Sequence, residues 1–103
     1  MKIKVQSEKI IKAVKKLDGV ELVLENADDV KEALDLVLRK SDLLSENHRE
    51  QLQDLKVTSF EKYETSAVDY KMIVLIDFIF AEKTSLDDRI QIIKAIQEFF
   101  EKV

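Results

Sequence analysis

His48 is the only histidine in the chain, and there is no cysteine. It stands in "SENHREQLQD", where Glu46, Glu50 and Asp54 fall at i, i+4 and i+8 and would form one acidic stripe along a helix. Carboxylates beside an imidazole are the raw material of proton transfer or metal binding. Zinc, however, takes mostly histidine and cysteine, so every further ligand here would have to be a carboxylate. The serines Ser7, Ser41, Ser45, Ser59, Ser66 and Ser85 offer hydroxyls, but no GxSxG elbow surrounds any of them and His48 is the one available imidazole base. With 21 acidic residues, carboxylate pairs are too common to be diagnostic. Asp87-Asp88 lacks the alternating oxygen ligands and the glycine of a calcium loop. Gly19 is the only glycine, which excludes glycine-rich phosphate loops. No catalytic residue, metal ligand or cofactor site emerges, and the chain is not read as an enzyme.

Asp77 raises a different question. It interrupts "KMIVLIDFIF", a run of large apolar side chains. On a helix its neighbours at three and four residues would be Ile73, Val74, Phe80 and Ala81, all apolar. On a strand the faces separate: Met72, Val74, Ile76, Phe78 and Phe80 share one apolar face, while Lys71, Ile73, Leu75, Asp77, Ile79 and Ala81 share a mixed one. The strand leaves the charge on the less buried side, and the β-branched and aromatic residues favour it. Ile73, Leu75 and Ile79 still ask for a cover. The chain's own helices are the expected one, with Asp77 at the rim or against a lysine. A second copy or a partner protein is the alternative, and a catalytic or metal-binding Asp77 the least supported. An unpaired buried carboxylate would cost several kcal/mol, so some compensation is required.

Charge is distributed unevenly. Residues 1–17 hold six lysines against one glutamate, whereas residues 18–55 hold four basic and eleven acidic residues; the whole chain is −4. Lys9, Lys12 and Lys16 form a basic patch on one helix face, with Lys2, Lys4 and Lys15 nearby. Nucleic-acid binders add arginines for base edges and aromatics for stacking. This patch has neither, so nucleic acid is disfavoured. A second acidic row, Asp28, Glu32 and Asp35, matches Glu46, Glu50 and Asp54; the ordinary reading of both is a solvated face, and the sharper one a mimic of nucleic acid or a dock for a basic partner.

These residues are carried on 103 positions, enough for one domain. Apolar residues make up 46% and charged ones 37%, so a core can form in a chain that stays in solution. The opening MKIKVQSEK lacks the apolar core of a signal peptide, and no apolar run approaches a membrane span. A cytoplasmic protein is expected, with no membrane contact. Lysine outnumbers arginine 14 to 3 and isoleucine occurs ten times, a bias that AT-rich bacterial and phage genomes produce.

The elements read in the order βαβααββα. Met1 to Val5 alternates as a strand. Ser7 caps a helix to about Leu17, closed by Asp18-Gly19. "VELVLE", from Val20 to Glu25, reads as a second strand. Asn26 caps a helix to about Lys40 with stripe Val30, Ala33, Leu34 and Val37. A third helix runs from Asp42 or Ser45 to Leu55, with Leu44, His48 or Gln51, Leu52 and Leu55 inward. Val57–Tyr63 and Tyr70–Ala81 are strands joined by "ETSAVD", a longer loop flanked by two tyrosines. Ser85 and Asp88 resemble a capping box for the last helix, with Leu86, Ile90, Ile93, Ile96, Phe99 and Phe100 inward. The fold class is α+β, a small sheet including a C-terminal-half hairpin, packed by about four helices. The function this supports is a small interaction or accessory protein, of the kind phages and mobile elements encode, binding a protein partner or itself. Its contact surface would be Ile73, Leu75, Asp77 and Ile79 or the stripe of Glu46, Glu50 and Asp54. The alternative is a nucleic-acid-associated regulator using Lys9, Lys12 and Lys16.

Overall fold

The computed structural model describes residues 1–64 and 70–103, and side chains outside 60–72. Three strands and four helices follow the chain: β1 (Lys2–Gln6), α1 (Ser7–Asp18), α2 (Ala27–Lys40), α3 (Glu46–Gln51), β2 (Leu52–Glu64), β3 (Tyr70–Phe80) and α4 (Leu86–Lys102). The strands form one antiparallel sheet in the order β1-β3-β2. The "ETSAVD" connector lies, but for Glu64, outside the described residues, as do the side chains of Tyr63 and Tyr70.

The strands obey their two-residue period. On β1, Ile3 and Val5 are buried while Lys2 and Lys4 are exposed; on β3, Val74, Ile76 and Phe78 are buried. The ladder between β2 and β3 shifts register between Leu52 and Asp54 and again between Val57 and Ser59. Each shift inserts one extra residue, Gln53 and Thr58, as a bulge does. The Thr58 hydroxyl donates to the Leu75 carbonyl at 3.2 Å.

The helices fill the opposite side of one core. Ile10, Ala13 and Val14 of α1, Val30, Ala33, Leu34, Val37 and Leu38 of α2, and Ile92, Ile96 and Phe100 of α4 pack with Ile3, Val5, Leu55 and the buried side chains of β3. Caps place the helix ends. Asn26 accepts the Asp29 N–H at 2.9 Å, Ser45 the His48 N–H and Ser85 the Asp88 N–H. Gly19 takes φ 71°, and its N–H closes α1 on the Lys15 carbonyl. No helix of the described residues is long and apolar enough to cross a membrane.

Four expectations are corrected. Ser7 is not the cap of α1: it is the first helical residue and buried, because β1 runs straight into α1 and Gln6 occupies the cap position without a side-chain bond. The third helix stops at Gln51 rather than Leu55, since Leu52 pairs with Phe80 and the Ala81 N–H bonds the Gln51 carbonyl; sheet pairing overrides the helical pattern. On α4 the buried stripe is Ile92, Ile96 and Phe100, with Ile93 and Phe99 at its flanks, while Leu86 and Ile90 are exposed. Apolar residues surround that helix, so periodicity alone could not choose its inner line.

The fourth correction is Val20–Glu25, which is not a strand. The Lys40 ammonium bonds the Asp18 carboxylate, so α1 and α2 end side by side. The chain leaving α1 must therefore travel back along α2, about 21 Å at 1.5 Å per residue, before α2 can begin. Six or so residues cover most of that only when stretched. The strap keeps a strand-like alternation, Leu22 and Leu24 against the core and Val23 76% exposed, but no described strand pairs with it.

Candidate functional site

The mixed face of β3 is open. Ile73, Leu75 and Ile79 are half-buried by their neighbours in the sheet and are not part of the packed core, so the expected cover by the chain's own helices is absent from the described residues. Asp77 is flanked in register by Lys2 on β1 and Lys56 on β2. Residues directly opposite across strands project from the same face, so two ammonium groups border the carboxylate. The Met1 amino nitrogen lies 3.2 Å from Asp77 Oδ1, and the Asp77 side chain is 32% exposed. The charge in the apolar run thus sits in a row of cations on a face reached by water.

The acidic stripe of Glu46, Glu50 and Asp54 is broken by the helix boundary. Glu46 and Glu50 are exposed on α3, whereas Asp54 belongs to β2 and pairs with Lys31 at 3.1 Å. The Leu55 N–H, first, and Lys31, second, hold the Asp54 carboxyl below its ordinary value. On α2, Asp28, Glu32 and Asp35 are exposed as expected.

His48 meets a residue that sequence spacing did not connect to it. Its Nε2 is 3.5 Å from Asp88 Oδ1, and Gln51 Nε2 donates to Asp88 Oδ2 at 3.1 Å. Those bonds, with Gln51 foremost and Ser85 next, hold the Asp88 carboxyl below its ordinary value. The group clasps α3 to the start of α4. Ser85 Oγ accepts the Asp88 N–H as a helix cap, so the serine and histidine have separate structural tasks. The capping box at Ser85 was the one cue to this cluster. Among the described residues no group of three His, Asp or Glu side chains is placed to hold a metal ion.

The lysine patch of α1 is divided. Lys12 and Lys16 are exposed, but Lys9 Nζ donates to the Val103 carbonyl at 3.0 Å and neighbouring Lys15 pairs with Glu21 at 2.9 Å.

A groove of about 750 Å³ brings Glu32 and Asp35 of one acidic row together with Asp54 of the other. Its walls are the strap (Leu22, Val23, Leu24), α2 from Asp29 to Arg39, and the start of β2 (Leu52 to Leu55), with Leu44 and Arg49 at one end. Its floor is mostly leucine. The sequence signalled its acidic residues and the strand-like "VELVLE" but not their meeting, which depends on tertiary packing.

No protein-family model matches the chain, and neither a curated protein nor a solved structure does.

Proposed function

We propose that the chain is a small cytoplasmic protein-interaction domain that binds a partner protein, or a second copy of itself, across the open face of its sheet. The observation that carries the reading is the partial exposure of Ile73, Leu75 and Ile79, which lie outside the packed core formed with the helices. Apolar side chains left on a reachable face of a folded domain mark a contact surface; Asp77 interrupts them, and Lys2, Lys4, Lys56 and Asp54 add polar groups of both signs around them. That mixture suits a specific, reversible contact better than an obligate one.

The test is site-specific photo-crosslinking in cells of the native source, with benzoylphenylalanine in place of Leu75. A single dominant adduct, to one other protein or to a second copy, that disappears when Ile73→Lys is added supports the reading. Adducts no more frequent than those from exposed Glu82, on the loop before α4, overturn it. The nucleic-acid reading has less support, since Lys9 is engaged within the chain and only Lys12 and Lys16 of the patch are unpaired among the described residues. It requires binding to DNA or RNA that weakens steeply with salt.

A further inference from the structure

We infer that the groove between the strap, α2 and β2 is a docking site for a short extended segment of a partner protein, apolar in its middle and carrying lysine or arginine. The site is separate from the open sheet face.

The shape argues for an extended occupant. Four consecutive residues of β2, Leu52 to Leu55, line the groove. Leu55 stands opposite buried Phe78 and Asp54 opposite Ile79 of the other face, so a groove touching both runs along the edge of the strand rather than over one face. That edge is free, because β2 is the outermost strand in the order β1-β3-β2. Across the gap, three consecutive residues of the strap line the other wall, and the backbone of Val20–Leu24 makes no hydrogen bond with the described residues. On the β2 edge the Leu55 N–H is already taken by Asp54 Oδ1 at 2.8 Å, so the main-chain bonds of strand addition would come from the strap and the remaining edge groups, with alternate pockets for side chains. The volume lies within the range of ordinary ligand sites.

The charges fix the occupant's character. Asp29, Glu32, Asp35 and Arg39 of α2 border the trough, as does Arg49 of α3. Asp29 to Arg39 is about 15 Å along a helix, or four to five residues of an extended peptide. Arg49 is partly occupied, its guanidinium donating to the Ser41 carbonyl at 3.2 Å. Asp54 is paired with Lys31. Glu32 and Asp35 make no ion pair with a described residue. Arg39 likewise makes no ion pair with a described residue, so the trough sets the carboxylates of Asp29, Glu32 and Asp35 against the guanidiniums of Arg39 and Arg49; the carboxylates are in excess, and a cationic segment complements them.

The experiment uses three fluorescein-labelled, end-blocked peptides, Lys-Val-Leu-Val-Leu-Lys, Ser-Val-Leu-Val-Leu-Ser and Glu-Val-Leu-Val-Leu-Glu, titrated with the whole chain by fluorescence anisotropy. The expected order is lysine-tipped tightest and glutamate-tipped weakest, separated by about tenfold, with the order reversed by Glu32→Lys or Asp35→Lys in variants whose circular dichroism is unchanged. Methylating alternate backbone nitrogens of the lysine-tipped peptide, in one of the two frames, should abolish binding. Leu75→Lys should leave it intact, which separates this site from the sheet face. Equal affinities for all three peptides, loss of binding with Leu75→Lys, or indifference to methylation in both frames would each overturn the proposal. Pairing with a second copy instead would show as peptide binding weakened by raising the chain's own concentration.

Discussion

Replacing Asp77 with valine tests what the charge in the apolar run is for. In register, Lys2 and Lys56 stand on either side of it. Cross-strand pairs of opposite charge contribute about 0.2–1 kcal/mol each, so the two together stabilise by roughly 0.4–2 kcal/mol. The Met1 contact, between groups each about a third exposed, adds little. Valine returns up to about 1 kcal/mol of strand preference. The net cost of Asp77→Val is therefore expected near 1 kcal/mol or below. Ile76, the adjacent residue facing the core, has no exposure at all; Ile76→Ala should cost about 2–5 kcal/mol. The larger effect of Asp77→Val is on association, because it joins Ile73, Leu75 and Ile79 into one unbroken apolar strip on a reachable face. Urea unfolding by circular dichroism reads the first quantity, and sedimentation velocity over a range of concentrations the second. A stability loss as large as that of Ile76→Ala, with sedimentation unchanged, would refute the reasoning and make Asp77 a structural anchor.

Gly19→Ala should destabilise by about 1–2 kcal/mol in thermal or urea unfolding. Nothing lies within 4 Å of the added methyl, so the cost comes from the left-handed φ of 71° alone and a steric explanation is excluded. The carboxyls of Asp54 and Asp88 titrate below their ordinary value of 3.8 in the folded chain. A depressed folded value means that their stabilisation is complete above that ordinary value and is lost as pH falls from there through the folded one. Asp88→Asn should therefore flatten the acid limb of a stability-against-pH curve, and an unchanged limb would remove Asp88 from the account.

What the sequence made legible was whatever depends on near neighbours. Asn26 and Ser85 cap because an amide or hydroxyl oxygen reaches the N–H three residues on, and Gly19 closes α1 because only glycine takes that φ without steric cost. The two faces of β3 followed from a period of two, and the α+β class from the order of elements. The His48–Asp88 clasp joins residues 40 apart in the chain, and no local pattern announces such a contact. The acidic stripe failed for a related reason. Glu46, Glu50 and Asp54 keep helical spacing, but β3 claims Leu52 onward as a strand, and the spacing then loses its meaning.

The strap joins these two kinds of failure, and it bears on the groove. "VELVLE" has the composition and alternation of a strand and is stretched as one, yet a strand also needs a neighbour at hydrogen-bonding distance, and packing of α1 beside α2 sets it against a helix instead. The whole of β2, 13 residues, has no strand along its outer edge, a length that invites indiscriminate pairing between copies. The bulges at Gln53 and Thr58 interrupt that edge, and Lys56 puts a charge on the run between them. A long sheet-to-sheet contact cannot keep register across two bulges, whereas a short segment along Leu52–Leu55 meets only the one at Gln53. The irregularities that guard the edge against its own copies are no bar to something short, which is why the inferred occupant of the groove is a brief segment rather than a second sheet.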